Sequence, residues 1–153
     1  MMNNDIPIRV LLVDDEQMSA DMLAGMFADS PGVTVRHVGD PAQALAAAQE
    51  FGPSVMLVDL RMPGVDGLDV IRTLRSDPVT ARIPLLMLSS EIDPHIKAAG
   101  FAAGAADYLV KWPDRVELTA RVRSLRRIDA ATEGVRRGTQ LTTQLLATAR
   151  GKP

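Results

Sequence analysis

Short aliphatic runs alternate with helix-like stretches five times along this chain, and few folds accept that rhythm. The runs are Arg9–Val13, Val33–Val38, Ser54–Val58, Pro84–Leu88 and Asp107–Val110. Unbroken apolar runs of this length are the pattern of parallel strands buried on both faces, whereas strict alternation would mark a one-sided antiparallel sheet. The intervening stretches are predicted as helices from about Glu16 to Ala28, from Pro41 to Glu50, from the Gly67 region to about Arg75, from Pro94 to about Ala103, and from near Asp114 onward. Asp40-Pro41 and Asp93-Pro94 each place an N-cap before a proline whose fixed φ suits the first helical position. Phe51-Gly52-Pro53 stops the second helix. Strand followed by helix, five times over, builds a doubly wound parallel sheet with helices on both faces, an α/β fold. Aromatic residues are only 3% of the chain, so its core must be aliphatic.

The boundaries read as an N-terminal segment 1–8, one domain over 9–127, and an extension over 128–153. In the last stretch Leu118, Val122, Leu125, Ile128, Val135, Leu141, Leu145 and Ala149 recur at roughly helical spacing. Gly134 and Gly138 weaken a continuous helix there by about 1 kcal/mol each relative to alanine. Two readings stand: a tail, or an extended last helix that pairs with another chain or leads to an output module. Seventeen basic against nineteen acidic residues leave no basic stripe, so direct nucleic-acid binding is not expected. The absence of cysteine excludes a disulfide framework and a thiolate metal site, and fits a cytoplasmic location. Met1 to Ile8 lacks the apolar stretch of a signal peptide, and no apolar run approaches a membrane span.

Chemistry gathers at the ends of the runs. The first ends at Asp14-Asp15, the third at Asp59, the fourth at Ser89 and the fifth at Lys111. Ligands of doubly wound sheets bind beyond the carboxyl ends of the strands, so the fold collects three carboxylates, a hydroxyl and an ammonium at one edge. Three adjacent carboxylates repel one another, and a divalent cation resolves the conflict. All-oxygen ligands suit Mg²⁺, with Mn²⁺ as a substitute. A carboxylate can act as nucleophile and form an acyl phosphate, and Asp59 on the central strand is best placed to do so. Lys111 can pair with Asp59 or with a phosphoryl oxygen, and Ser89 can donate to another oxygen.

In this light VLLVDDE (Val10 to Glu16), LVDLRMPGVDG (Leu57 to Gly67), PLLMLSS (Pro84 to Ser90) and DYLVKWP (Asp107 to Pro113) resemble the receiver domains of two-component response regulators. The four motifs occur in order, and the resemblance spans roughly residues 9 to 127. It implies a flavodoxin-like sheet of order 2-1-3-4-5 and a cytoplasmic signalling switch rather than an enzyme. It implies that Asp59 accepts the phosphoryl group from a histidine kinase or phosphotransfer protein. Asp15, Asp59 and the backbone carbonyl of Arg61 would bind Mg²⁺, with Asp14 acting largely through water. Ser89 would be the switch hydroxyl, Tyr108 the rotameric aromatic and Lys111 the site lysine. Arg61 and Glu91, by their position near the site mouth, would set the lifetime of the phosphate. A homodimer would form through the face of the fourth helix, fifth strand and fifth helix, or through the C-terminal helix. MPGVDGL, AAGAADYLVK and K-x-P-D (Lys111 to Asp114) resemble most the receiver part of Wsp-type diguanylate cyclase regulators, although the chain carries no GGDEF-like signature. One departure is plain. Most receivers follow the lysine directly with proline, usually through a cis bond; here Trp112 intervenes, and the isomer of Trp112-Pro113 stays open.

Other readings of single residues are blander. Asp14-Asp15 could cap the first helix, Tyr108 could be a half-buried packing residue, and Trp112 could serve either local packing or a partner. His37 and His95 fit no metal-ligand pattern and read as structural or surface residues. The methionines read as core filler, and Gly64 and Gly67 as loop geometry before the next helix. Among rival functions, a phosphorylation-independent pseudo-receiver would usually lack an acidic residue or the lysine, all present here. A haloacid-dehalogenase-like phosphatase would need D-x-D-x-[TV] after the first strand, and a dinucleotide-binding fold would need G-x-G-x-x-G there; the chain has neither.

Overall fold

In the computed structural model, which describes residues 7–91 and 93–126, the five runs become five parallel strands. They are β1 (Ile8–Val13), β2 (Val33–Val38), β3 (Val55–Asp59), β4 (Leu85–Ser89) and β5 (Asp107–Val110). Their order in the sheet is β2-β1-β3-β4-β5, every pairing parallel. The helices are α1 (Gln17–Met26), α2 (Ala44–Phe51), α3 (Gly67–Ser76), α4 (Pro94–Ala103) and α5, described over residues 115–126. The extension 128–153, with both readings of it, lies outside the described residues.

Local chemistry accounts for most boundaries. Asp66 and Asp93 accept hydrogen bonds from the amides of Leu68 and His95, capping α3 and α4. Asp40 does the same for Ala42, but the turn it opens, Pro41–Gln43, is a 3₁₀ helix that leads into α2. Small shifts separate the expected strands from the observed ones. β3 and β4 start one residue later and take in Asp59 and Ser89 as their last residues, because the ladder continues through Leu60 N–H to Leu88 C=O at 3.0 Å. The loop after Asp59 contains a two-residue antiparallel ladder between Arg61–Met62 and Val65–Asp66. Gly64 makes that turn at φ +73°, a conformation that favours glycine.

Burial on both sheet faces is complete for most strand residues, as their unbroken apolar character requires. On one face Leu11, Val13, Met56, Val58, Leu85 and Met87 pack with α2 and α3 through Ala48, Ile71 and Leu74. On the other, Val10, Leu12, Leu57, Leu86 and Leu88 pack with Leu23 of α1 and Leu118 and Val122 of α5. Both layers are predominantly aliphatic, with Phe27 buried in the second, and the methionines Met56, Met62 and Met87 are interior. Met18 is 70% exposed on α1 and Met22 is also exposed, so those two are not core filler. No helix among the described residues is long and apolar enough to cross a membrane.

Candidate functional site

The chain leaves β1 toward β2 on one side, and β3 then inserts on the other side of β1. At such a reversal the loops following the two strands diverge and open a crevice at their carboxyl ends. Asp14 and Asp15 follow β1 and Asp59 ends β3, so both sources of carboxylate sit at that crevice by topology alone. Asp14, Asp15 and Asp59 each bring one oxygen within 4.8 Å of the others. Asp14 and Asp59 are buried and Asp15 is exposed, giving a pocket closed below and open to solvent above. Three hard oxygen donors at this spacing fit a small divalent cation such as Mg²⁺.

Lys111 enters from the end of β5, where its amide donates to the Ser89 carbonyl at 2.8 Å. Its Nζ donates to Asp14 Oδ2 at 2.6 Å and lies 3.5 Å from Asp59 Oδ1. The pairing with Asp59 read from the sequence is present, and the shorter contact goes to Asp14, whose fully buried carboxylate most needs a counter-charge. Asp14 Oδ1 accepts from the Glu16 amide at 2.9 Å, and Asp59 Oδ1 from the Arg61 amide at 3.2 Å. Burial, and secondly the nearby Asp14 charge, push the Asp59 carboxyl up from its usual 3.8 to about 6 against the pull of Lys111.

A second set of contacts ties the β4–α4 loop to the site. Ser89, buried, accepts from the Glu91 amide at 3.1 Å. The Tyr108 hydroxyl donates to the Glu91 carbonyl, and the Glu91 side chain pairs with Arg61 at 2.6 Å. Tyr108 is half-buried, its ring 5.2 Å from Lys97 Nζ, so packing and loop contact coexist in one residue. Trp112 is half-buried and packs against the α1–α5 side of the core. The cis bond in this loop is Lys111-Trp112, the bond directly after the lysine.

Gly67 holds the first turn of α3 against the end of β3. A Cβ there would lie 2.6 Å from Leu60 Cα and 2.8 Å from Asp59 O, both backbone atoms. Gly67→Ala must therefore displace the Asp59 strand end or the helix, and it is expected to destabilise the fold by about 1–3 kcal/mol. Urea unfolding measures this, and a loss below about 0.5 kcal/mol would show that the contact relaxes freely.

Asp14, Asp15, Asp59 and Lys111 thus converge as the strand-end reading expected, with Ser89 at the end of β4 and Tyr108 within β5. The sequence offered no pointer to Ser19, buried on α1, which accepts from Lys111 Nζ at 3.3 Å. Nor did it show His37, whose Nε2 lies 2.6 Å from the Asp14 carbonyl oxygen. The signal for both is register, which appears only when strands and helices are placed side by side.

Comparison with known proteins follows the same lines. A family model described as the response regulator receiver domain matches residues 10–123. The DNA-binding response regulator MtrA of Mycolicibacterium paratuberculosis is 40% identical over 122 residues, 79% of this chain and 52% of that protein. The chain therefore spans about half the length of such curated relatives. Among solved structures, the chemotaxis protein CheY4 of Vibrio cholerae is 30% identical with a TM-score of 0.72, covering 78% of this chain and 98% of that one. The receiver domain of a Pseudomonas aeruginosa sensor histidine kinase, solved with a magnesium ion coordinated in its active site cleft, is 27% identical with a TM-score of 0.70. It covers 78% of this chain and 98% of that one.

Proposed function

The chain belongs to the response regulator receiver domain family, and on that premise we propose that Asp59 accepts a phosphoryl group beside a Mg²⁺ ion held by Asp14, Asp15 and Asp59. Receiver domains are signalling switches that interact with histidine kinases or phosphotransfer proteins, so the donor is a phosphohistidine on such a protein. The observation that carries the reading is the convergence of three carboxylate oxygens within 4.8 Å, with the Lys111 ammonium reaching two of those carboxylates.

Asp59 is the nucleophile. One of its oxygens forms the P–O bond as the P–N bond to the donor imidazole breaks, leaving an acyl phosphate. Mg²⁺, with Mn²⁺ as a substitute, supplies positive charge against the phosphoryl oxygens. Asp15, Asp59 and the Arg61 carbonyl would hold the cation, with Asp14 contributing largely through water. Lys111 acts as a point charge on a phosphoryl oxygen, and Ser89 donates to another. Ser89 turning toward the phosphoryl group loosens its bond to the Glu91 amide. Glu91 also holds Tyr108 through its carbonyl, so the change passes to the α4–β5–α5 surface as a shift between two packings. Tyr108 is the switch aromatic in this reading. Arg61 and Glu91, paired at the mouth, set the phosphate lifetime.

The receiver unit is residues 9–127, between a segment 1–8 and an extension 128–153. It works as a cytoplasmic switch rather than by turning over a free substrate. Its readout is a partner, or a second copy meeting the α4–β5–α5 face or the extension.

Radiolabelled phosphohistidine donor should label the chain in the presence of Mg²⁺ and leave Asp59→Asn unlabelled. Equal labelling of the variant would overturn the assignment. Labelling of neither protein by donor, acetyl phosphate or phosphoramidate would favour a docking module that works without phosphorylation.

A further inference from the structure

We propose that His37 is a positioning residue for the metal-binding acidic pair, acting by a hydrogen bond from its imidazole to the main-chain carbonyl of Asp14. The inference rests on the reading of Asp14, Asp15 and Asp59 as the Mg²⁺ site.

The register of β1 and β2 explains why a side chain is needed there. Leu12 pairs with His37 and Val13 with Val38, and the Asp14 amide donates to the Val38 carbonyl at 3.1 Å. In a parallel ladder continued one step further, the Asp14 carbonyl would accept from the amide of Asp40. The chain instead leaves the sheet at Gly39, and the Asp40 side chain caps the 3₁₀ turn that starts at Pro41. The His37 ring lies over Gly39, where a Cβ would sit 3.6 Å from Cε1, and its Nε2 takes the Asp14 carbonyl at 2.6 Å. A carbonyl oxygen only accepts, so Nε2 is the protonated nitrogen.

The consequence falls on the peptide joining Asp14 to Asp15. Asp14 is held at its amide by Val38, at its carbonyl by His37, and at its carboxylate by Glu16 N–H and Lys111. Fixing the carbonyl fixes the plane of the following peptide, and with it the direction in which the Asp15 side chain leaves the backbone. Asp15 is the exposed member of the triad and the one with the least packing around it. Its aim toward the cation then depends on the His37 bond, in the way outer-shell partners orient metal ligands generally.

The test is Mg²⁺ titration of the full chain followed by the emission of Trp112, the single tryptophan, with calorimetry as a second readout. His37→Val keeps a strand-forming side chain and removes the donor; His37→Gln keeps an amide donor of similar reach. The expected result is a roughly 10–100-fold weaker Kd for Mg²⁺ in His37→Val. His37→Gln should stay within about threefold of the unsubstituted chain, and all three metal-free proteins should remain folded under the titration conditions. Should His37→Val fail to fold, His37→Asn, one methylene too short, replaces it against His37→Gln. Unchanged affinity in the donorless or shortened variant, or equal weakening in both members of the pair, overturns the inference. Failure of the unsubstituted chain to bind Mg²⁺ would overturn the metal reading itself, and this inference with it.

Discussion

In metal-free buffer at pH 7, Asp59→Asn is expected to unfold at higher urea than the unsubstituted chain, by up to about 3 kcal/mol. The Asp59 carboxyl is pushed up to about 6 in the folded state, from 3.8 when solvated, by burial and by Asp14. A group with a raised folded value holds its proton where the unfolded chain has already released it. Stability therefore falls as pH rises from 3.8 through about 6, and stays low above that. The difference between those two values caps the effect at about 3 kcal/mol, and solvent screening at the open side of the pocket lowers it from there. Asparagine does not titrate, so the advantage of the variant should be small at pH 4, grow up to about pH 6.5 and then level off. Millimolar Mg²⁺ should shrink it, since the cation replaces the missing positive charge. An advantage independent of pH would show that shape, not charge, separates the two proteins. The physical meaning is that the fold stores carboxylate repulsion at the site, and that cation or phosphoryl chemistry relieves it.

Lys111→Met should act in the opposite direction, destabilising the metal-free protein by about 3–5 kcal/mol at pH 7. Methionine preserves the apolar stem but leaves Asp14, fully buried, without the ammonium 2.6 Å away. Breaking one side of a buried pair costs far more than the pair contributes, because the remaining charge stays desolvated. Lys111 also holds the Asp59 carboxyl down, so in the variant Asp59 should titrate above about 6. Urea curves and carboxyl titration by NMR check both parts. A loss under about 1 kcal/mol, with Asp59 unmoved, would show that solvent reaches the pocket and shields the charges.

Much of the site was legible in the order of residues along the chain. Unbroken runs such as Leu57-Val58 before Asp59 identify buried parallel strands, and the topology of such sheets places their ends together. Residues whose role depends on a neighbour in sequence, like Asp66 capping α3, were readable on the same terms. Contacts set by lateral placement were not. The preference of Lys111 for Asp14 over Asp59 depends on which carboxylate is more deeply enclosed. Glu91 joins Ser89, Tyr108 and Arg61 through its backbone and its side chain together, which no spacing rule announces.

By itself, the sequence determined that five aliphatic strands would lie parallel and that their polar end residues would share one edge, because hydrophobic periodicity and chain connectivity are properties of the one-dimensional string. Only the tertiary structure decided how deeply each carboxylate is buried, which of them the lysine neutralises, and that the imidazole of His37 completes the ladder at Asp14. Those outcomes depend on distances of a few ångström between strands and helices, and electrostatic energies in a desolvated pocket change steeply over that range.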